Sequence, residues 1–353
     1  MSCKQKHDAV SSLRERLTGM TMQELRTVAS EMSLPSYAAG QMADWLYRKR
    51  IRSIDEMTNI AAAKREQLIL RYEIGVYPPK KTTAATDGTV KYLFAVNNGS
   101  NFVESVYIPS KERATLCVSS QAGCKMNCLF CLTGKQGFAA QLSANEMINQ
   151  VQSIPESREL TYIVFMGMGE PLDNMDELFK TLEILTSPYG YGWSPKRITV
   201  STCGLIPGLK RFLEESNCHL AVSLNSPYPK ERLSLMPVEK ACPVESIIDL
   251  LHAHDFSHQR RVSFEYILFD GFNDTEQHAK ELSRLLKGLD CRVNLIRYHA
   301  IPGINFRSCP EWKMEKFRDM LNASGIVSTI RASRGEEVFA ACGMLSTAKN
   351  KKR

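Results

Sequence analysis

The sequence predicts an α/β fold: a partial (β/α)6 barrel with a small N-terminal helical domain and a β-hairpin extension. Three observations predict it. About the first 75 residues show helical periodicity. Two segments that alternate between apolar and polar residues then flank Asn97-Asn98-Gly99-Ser100. From residue 114, short apolar segments alternate with amphipathic ones. Alternation of strands and helices implies a parallel sheet with right-handed crossovers. Six such units are too few to close an eight-stranded barrel.

Residues 1–77 are predicted to form the helical accessory domain. Thr21-Met22-Gln23-Glu24 has the Thr-x-x-Glu form of a capping box, so we expect a helix from there to about residue 32, where Leu34-Pro35 ends it. Apolar residues at helical spacing predict further helical segments at 11–17, 37–48, 53–56 and 61–70.

Residues 78–112 are predicted to form a linker and the hairpin. Pro78-Pro79 marks the linker. The segments 90–96 and 102–108 alternate between apolar and polar residues, as half-buried strands do, and the Asn-Asn-Gly-Ser turn between them favours a hairpin.

Residues 113–346 are predicted to form the barrel. Its expected strands are 115–119, 162–166, 197–201, 219–224, 262–268 and 292–298, with a seventh at 328–332. Its expected helices are 143–152, 176–186, 208–215, 244–254, 275–286 and 314–323. The active site of such a barrel lies at the carboxyl ends of the strands. The basic tail, 347–353, is expected to be disordered.

Composition limits the class of protein. Apolar residues make up 43% and charged residues 24%, as in globular proteins. The formal net charge of +7 permits a polyanionic partner, although we interpret the basic runs Arg48-Lys49-Arg50, Lys80-Lys81 and Arg260-Arg261 as solvated faces. No apolar run approaches the ~18 residues of a membrane helix, and no signal-peptide stretch follows the charged start. We therefore expect a cytoplasmic protein without membrane contact.

Three of the eleven cysteines are clustered after the first barrel strand, where Cys124, Cys128 and Cys131 have the spacing C-x-x-x-C-x-x-C. Cysteine thiolates are the usual ligands of iron–sulfur clusters. Three ligands for four irons leave one iron open, and an open metal position is a catalytic feature. Structural zinc is the alternative, but it needs four ligands and no fourth Cys or His stands beside the loop; Cys117 lies on the strand itself.

Over nearly its whole length the chain resembles the RlmN/Cfr family of radical S-adenosylmethionine (SAM) RNA methyltransferases, and it is closer to the RlmN branch. The resemblance implies a radical SAM barrel with a four-iron, four-sulfur (4Fe–4S) cluster, SAM as cofactor, and an N-terminal domain that docks RNA. The segments that carry it are residues 113–124, Leu34-Pro35, Trp45-Leu46-Tyr47, Arg334-Gly335 and Ala340-Ala341-Cys342-Gly343.

Several residues at strand ends are candidates for binding SAM. In Gly167-Met168-Gly169-Glu170-Pro171 the glycines would let the backbone approach a ligand, and a carboxylate such as Glu170 can take the amino group of SAM. Asn225 departs from the family, which usually has His there. The resemblance implies that the residues in contact with SAM are Gly169, Glu170, Ser201, Ser223, Leu224, Asn225 and Asn294.

The resemblance also implies methylation of an adenine ring carbon through a protein cysteine. Cys342 takes a methyl group from one SAM, a radical derived from a second SAM removes a hydrogen from that methyl group, and the methylene radical adds to the adenine. Cys117 then attacks Cys342, which leaves a transient disulfide, and Glu104 matches the family's proton acceptor. From the residues alone, Cys342 and Cys117 are typical of packing residues and Glu104 of a solvent-facing one.

The implied substrate is 23S ribosomal RNA near the peptidyl-transferase centre, and some relatives also modify tRNA. The implied electron donor is a flavodoxin or ferredoxin, and we expect a monomer. Glu170-Pro171 resembles the branch that methylates carbon 2, whereas Ser226-Pro227-Tyr228, Leu235-Met236-Pro237 and Arg297-Tyr298 look more like the branch that methylates carbon 8. We favour carbon 2, because that branch is the larger.

Three alternatives remain open on the sequence. One is a different radical SAM enzyme, such as a glycyl-radical activase, which would not need Cys342, Cys117 or the N-terminal helices. The second is a non-catalytic, metal-stabilised RNA-binding protein. The third is a family member that has lost its activity, since Asn225 departs from the family's pattern.

Overall fold

A computed structural model describes residues 14–256 and 262–347. In chain order its strands are β1 (Glu15–Arg16), β2 (Tyr72–Glu73), β3 (Lys81–Ala84), β4 (Val90–Val96), β5 (Asn101–Pro109), β6 (Ala114–Cys117), β7 (Gln121–Gly123), β8 (Phe138–Gln141), β9 (Tyr162–Phe165), β10 (Ile198–Thr202), β11 (His219–Ser223), β12 (Val262–Leu268), β13 (Cys291–Arg297) and β14 (Val327–Ile330). Its α-helices are α1 (Met22–Glu31), α2 (Ala38–Ala43), α3 (Ala62–Arg71), α4 (Leu132–Gln136), α5 (Ala144–Gln152), α6 (Met175–Thr186), α7 (Ile206–Glu215), α8 (Pro229–Leu235), α9 (Val244–His252), α10 (Glu276–Leu285) and α11 (Glu311–Ala323).

One ten-stranded sheet organises the chain, in the order β14-β13-β12-β11-β10-β9-β6-β5-β4-β3. The seven strands from β6 to β14 pair in parallel, and amphipathic helices connect most of them. β5, β4 and β3 continue the same sheet in antiparallel pairing. The predicted α/β class and open, partial barrel are confirmed, and the predicted hairpin is β4 with β5.

Beyond residue 77, the sequence analysis missed three short strands. β3 extends the hairpin within the segment expected to be a linker. β7 and β8 pair with each other in antiparallel fashion, with Gln121 opposite Gln141. β7 and β8 lie directly before and after the three-cysteine loop, so the loop begins and ends at this pair of strands. These strands have only three or four residues, which is too few for an alternating pattern to be recognised.

The N-terminal module agrees with the sequence in part. Thr21 and Glu24 form the predicted capping box at the start of α1. The predicted helix at 37–48 consists of α2 followed by a π-helical turn, Asp44–Lys49. The prediction of helix at 11–17 is wrong where it can be compared, because Glu15–Arg16 is a strand that pairs in parallel with β2. Residues 11–13 lie outside the described residues.

The basic run at 48–50 was interpreted as a solvated face, which holds for the exposed Arg48 and Lys49 but is wrong for Arg50. An Arg48 Nη donates to the carbonyl of Pro188, and Arg50 Nη1 donates to the carbonyl and hydroxyl of Ser157. The Arg50 guanidinium also lies 4.8 Å from the ring centroid of Tyr191. These arginines therefore hold the N-terminal module against the barrel.

The helix α5 is buried along its whole length although much of it is polar. Asn145 Nδ2 donates to the carbonyls of Thr18 and Gly75, both at 2.8 Å. Gln150 bonds to both the N–H and the carbonyl of Ser119, beside the barrel's first strand. Because buried polar groups are costly unless paired, these bonds fix the module, α5 and the sheet relative to one another.

Two further predictions can be compared only in part. In the ranges 14–256 and 262–347, no helix is both long and apolar enough to cross a bilayer. The basic tail beyond residue 347 and the pair Arg260-Arg261 lie outside the described residues. The domain limits at 77, 112 and 346 stay predictions.

Asn145→Ala is expected to lower the free energy of unfolding by roughly 2–4 kcal/mol, because it leaves two buried carbonyls without their donor. Urea denaturation followed by circular dichroism measures this change. The exposed Asn217→Ala is the matched control and should leave stability within about 0.5 kcal/mol of the parent. Equal stability of the two variants would contradict the role given to α5.

Candidate active site

One cavity lies at the carboxyl ends of the parallel strands, and ten of the thirteen predicted site residues line it. It is bounded by the cysteine loop, by the ends of β6 and β9–β12, and by the segment around Cys342. The ten residues are Cys117, Cys124, Cys128, Cys131, Gly169, Glu170, Ser201, Ser223, Asn225 and Cys342. The remaining three, Glu104, Leu224 and Asn294, are not among its lining residues.

The cysteine loop is tied to the barrel at several points. Cys124 N–H donates to the carbonyl of Gly137, which closes the base of the loop. Leu129 N–H donates to the carbonyl of Leu235 at 2.8 Å, so the loop is fastened to α8. Cys131 is the residue before α4, and its N–H donates to the carbonyl of Cys128. These bonds present the three thiols to one side of the cavity.

The glycines of the Gly167-Met168-Gly169 loop serve packing. Gly169 has φ +102°, and a Cβ there would lie 2.5 Å from Cβ of Gln121. A Cβ on Gly167 would lie 2.8 Å from the carbonyl oxygen of Val118. The sequence analysis expected these glycines to admit a ligand. They also let this loop press against the segment 118–121, which places the next residue, Glu170, and the expected approach to a ligand stays a prediction.

Glu170 is a buried carboxylate at the floor of the cavity. Its two oxygens accept from the N–H of Leu172 at 3.1 Å and from the N–H of Cys203 at 2.8 Å. Burial raises the pKa of Glu170, and these backbone donors oppose that rise. A positively charged ligand group at this position would offset the electrostatic cost of the buried charge, which agrees with the predicted contact to an amino group.

The polar atoms of the Asn225 side chain already have partners within the protein. Its backbone is left-handed, with φ 60°, a conformation that Asn adopts more readily than most residues. Its Oδ1 accepts from the N–H of Ile267 at 2.9 Å, and its Nδ2 lies 3.2 Å from the sulfur of Met236. The residue lines the cavity, but both ends of its amide are held by the protein.

Leu224 and Asn294 do not line the cavity, but both bond to Glu265, which does. Leu224 is buried, and its backbone bonds to β12 through the carbonyl of Glu265. Asn294 Nδ2 donates to the carboxylate of Glu265 at 2.8 Å, and its Oδ1 accepts from Thr329. Asn294 therefore contacts Glu265, which lines the cavity, while the residue of its own strand that lines the cavity is Ile296.

Cys342 enters the cavity on a segment that is anchored to the cysteine loop. Leu132 N–H donates to the carbonyl of Gly343 at 2.8 Å, and the Thr133 hydroxyl donates to the carbonyl of Leu345 at 2.7 Å. Cys342 is an exposed residue that lines the cavity, and protein atoms surround its thiol. Burial raises the pKa of the Cys342 thiol, and the nearby Arg331 guanidinium opposes this effect.

Cys117, at the end of β6, faces the same cavity. Burial raises the pKa of its thiol to about 12, and the charge of the neighbouring Cys342 adds to the rise. The two cysteines, which are 225 positions apart in the sequence, are therefore brought into electrostatic contact by the fold. Both are free thiols in this structure.

Glu104 lies on the other side of the segment that carries Cys342. Its carboxylate pairs with Lys91 Nζ at 2.9 Å and accepts from the N–H of Ser346 at 3.1 Å. Lys91 also donates to the carbonyl of Phe339. In this arrangement Glu104 holds the segment in place and is separated from the cavity by it, so its role as a proton acceptor stays a prediction.

Comparison with known proteins identifies the family. The Radical SAM superfamily model matches residues 118–307, and the ribosomal RNA large subunit methyltransferase N-terminal domain model matches residues 16–74. The chain is 68% identical to a probable dual-specificity RNA methyltransferase RlmN of Parabacteroides distasonis, over 96% of this chain and 98% of the relative. It is 38% identical to the dual-specificity RNA methyltransferase RlmN of Syntrophus aciditrophicus, over 94% and 97%.

The chain belongs to the RlmN family. A crystal structure of a radical SAM methyltransferase from Sphaerobacter thermophilus matches it with a TM-score of 0.88 and 37% identity, over 94% of this chain and 99% of that one. The RlmN-family chain is therefore an RNA methyltransferase of the radical SAM class, as the sequence analysis predicted. The alternatives of a glycyl-radical activase and of a non-catalytic RNA-binding protein are set aside by this membership.

Membership in the RlmN family implies a 4Fe–4S cluster and SAM, and the donor set of the cavity fits both. Burial and mutual repulsion raise the pKa of Cys128 well above its usual range and that of Cys124 to about 12, effects that bound iron would reverse by stabilising thiolates. Across 14–256 and 262–347, no three His, Cys, Asp or Glu side chains enclose a position for a single metal ion. The fit rests on the three thiols and the buried Glu170 that share one cavity.

The sequence analysis missed two charged residues of the cavity, Glu265 and Arg331. Arg331 Nη1 lies 3.1 Å from a carboxylate oxygen of the buried Glu265. A signal existed, because Ser223, Glu265, Asn294 and Thr329 occupy matching positions on four neighbouring strands. This polar row becomes visible only when the register of the strands is known.

Alkylation of Cys117 by iodoacetamide at pH 8 is expected to be about 1,000-fold slower in the folded, cluster-free protein than in urea. The thiolate is the reacting form, and raising the pKa from 9.0 to about 12 lowers the thiolate fraction by that factor. The rate should rise as the pH approaches 12. Timed quenching and peptide mass spectrometry measure it. Similar rates in folded and unfolded protein would contradict the burial described for Cys117.

Proposed function

We propose that this chain methylates carbon 2 of an adenine in 23S ribosomal RNA and in tRNA, through an S-methylcysteine at Cys342. The observation that carries the proposal is that Cys342 and Cys117 line the same cavity as the three clustered cysteines. A radical SAM enzyme that acted without a covalent cysteine intermediate would have no need for two further thiols at this position.

The residues proposed to hold the cofactors are those of the cavity. Cys124, Cys128 and Cys131 would ligate the cluster, and the buried carboxylate of Glu170 would take the amino group of SAM. When bound, the cluster and SAM supply the methyl group and the hydrogen-abstracting radical. Ser201 and Ser223 line the cavity at the ends of β10 and β11, where their hydroxyls can bond to SAM.

The roles of the protein groups follow from where they lie. Cys342 accepts the methyl group on sulfur and later carries its carbon to the adenine. Before this carbon is released, the adduct loses the ring-carbon proton and one electron, which the cluster would accept. The Cys117 thiolate then attacks the sulfur of Cys342: a sulfur–sulfur bond forms, the carbon–sulfur bond breaks, and the released carbon keeps the electron pair and takes a proton to become the methyl group. Arg331, beside both thiols, favours their thiolate forms. Glu104 accepts a proton from the modified base after its contacts to Lys91 and Ser346 are exchanged.

The substrate assignment is supported by the comparisons. The model that matches residues 16–74 is described as that of a ribosomal RNA large subunit methyltransferase, and the RlmN relatives are described as having dual specificity. Two RNA classes, ribosomal and transfer RNA, fit that description. Carbon 2 follows from the closeness to the RlmN branch. A flavodoxin or ferredoxin as electron donor, a monomeric state and a cytoplasmic location belong to the same proposal.

Cys342→Ala is expected to abolish RNA methylation, because no sulfur then accepts the methyl group. In the unsubstituted protein, peptide mass spectrometry should find S-methylcysteine at residue 342. The matched control is Cys218→Ala, which removes a buried cysteine outside the cavity and should retain both activity and the methyl mark. A Cys342→Ala protein that still methylates RNA would contradict the proposed S-methylcysteine mechanism.

Expression in a host that lacks its own enzyme should restore 2-methyladenosine in 23S ribosomal RNA and in tRNA. Nucleoside mass spectrometry of the two purified RNA pools distinguishes 2-methyladenosine from 8-methyladenosine. Methylation at carbon 8 would overturn the assignment of the atom. Methylation of one RNA pool alone would overturn the dual substrate.

A further inference from the structure

Arg232 is a charged side chain that is fully buried, and it has no part in the function proposed above. It lies on α8, a helix that the sequence analysis did not predict, and its exposure is 0%. Its guanidinium forms an ion pair with Glu239, which is also buried. A buried charge is costly and persists only where it is well paired, so its surroundings indicate what it stabilises.

The guanidinium bonds to the carboxyl ends of two neighbouring barrel strands. Its Nη2 donates to the carbonyl of Cys203 at 2.7 Å, just beyond β10, and to that of Ser223 at 3.3 Å, in β11. Its Nε donates to the carbonyl of Leu224 at 3.2 Å. These carbonyls belong to the strand ends that present Ser201 and Ser223 to the cavity. Arginine can bond to both strands at once because its donors form a rigid, planar fork.

The helix that carries Arg232 also holds the cysteine loop. The carbonyl of Leu235, the last residue of α8, accepts from the N–H of Leu129 at 2.8 Å. Met236, which follows, donates its N–H to the carbonyl of Arg232 and contacts Nδ2 of Asn225 through its sulfur. Arg232 therefore lies between the loop that would carry the cluster and the strand ends that would bind SAM.

The two charged ends of the Arg232–Glu239 ion pair contact different parts of the protein. Its positive end bonds to the carbonyl of Cys203, and Cys203 lines the same cavity as the three clustered cysteines. Its negative end, Glu239, accepts from the N–H of Val244 at the start of α9, at 3.1 Å to each oxygen. Net charge and hydrogen bonding around an iron–sulfur cluster set its reduction potential, so a cation on this side favours the reduced form.

We propose that Arg232 is a positioning residue that fixes the SAM-binding ends of β10 and β11 and places a permanent positive charge beside the cluster. It acts through the backbone carbonyls and through its field, and it touches neither substrate nor cofactor. The inference rests on the proposed cluster and SAM sites. It assigns to one side chain two separable effects, on SAM affinity through its fork of donors and on reduction potential through its charge.

The experiment compares four variants of the full, cluster-loaded chain: Arg232→Lys, Arg232→Met, Glu239→Gln and the double variant Arg232→Met/Glu239→Gln. Two quantities are measured anaerobically, the midpoint potential of the cluster by redox titration with electron paramagnetic resonance, and the dissociation constant of SAM by equilibrium binding. The matched control is Arg211→Met, which removes an exposed, ion-paired arginine of α7 that does not line the cavity.

Arg232→Lys keeps the charge but loses the fork, so SAM should bind about tenfold more weakly while the potential stays unchanged. Arg232→Met should weaken SAM binding and also lower the potential. Glu239→Gln keeps Arg232 and removes its counter-charge, so the potential should rise while SAM affinity stays within about twofold. Arg211→Met should change neither quantity.

If Arg232 served packing alone, the results would differ. Every substitution would then lower thermal stability, and the midpoint potential of the cluster would not shift in opposite directions in Arg232→Met and Glu239→Gln. If Arg232→Met does not fold, the double variant, in which both buried charges are removed, tests the loss of SAM affinity. The inference would be overturned if Arg232→Lys, Glu239→Gln and the unsubstituted chain had the same midpoint potential and bound SAM equally well. An unsubstituted chain that binds no cluster or SAM would instead overturn the proposed function.

Discussion

The parallel register of β6 and β9–β13 is the constraint on which the rest of the structure depends. Because parallel strands end at the same edge of a sheet, the ends of β6 and β9–β12 deliver polar residues from five separate stretches of sequence to one cavity. That edge is wide and leaves backbone carbonyls and N–H groups to be satisfied. The buried Glu170 meets the N–H of Cys203 on one side of the segment after β10, and the buried Arg232 meets its carbonyl on the other.

Two peripheral parts of the chain close the cavity and brace the barrel. The segment carrying Cys342 is bonded to α4 through Thr133 and to the hairpin through Glu104. The position of the Cys342 thiol is therefore set by residues that follow directly on the loop of the clustered cysteines. At the opposite end, α5 uses Asn145 to hold the N-terminal module against the sheet. These bonds connect the N-terminal module to the sheet whose strand ends form the cavity.

Part of this arrangement could be predicted and part could not. The three-cysteine loop was predicted from its spacing and the strand-end residues from the resemblance to the family, and a parallel sheet places both at one edge. Ten predicted residues line the cavity. Asn294 lies behind Glu265, and Glu104 lies beyond the Cys342 segment, because their final positions depend on which neighbour packs in front of them. Within the basic run at 48–50, Arg50 was misjudged for a related reason, because the sequence does not reveal that the carbonyl of Ser157 lies opposite it.

The sequence by itself determined the local features of this protein. The capping box at Thr21, the alternation that requires a parallel sheet, and the thiol spacing fit for a cluster are all written in short stretches, because they depend on side-chain chemistry and backbone periodicity. Only the tertiary structure decided that Cys117 meets Cys342, that Ser223, Glu265 and Asn294 share one row, and that Arg232 lies buried behind two strand ends. These facts depend on strand register and on contacts between distant segments, which no local pattern contains.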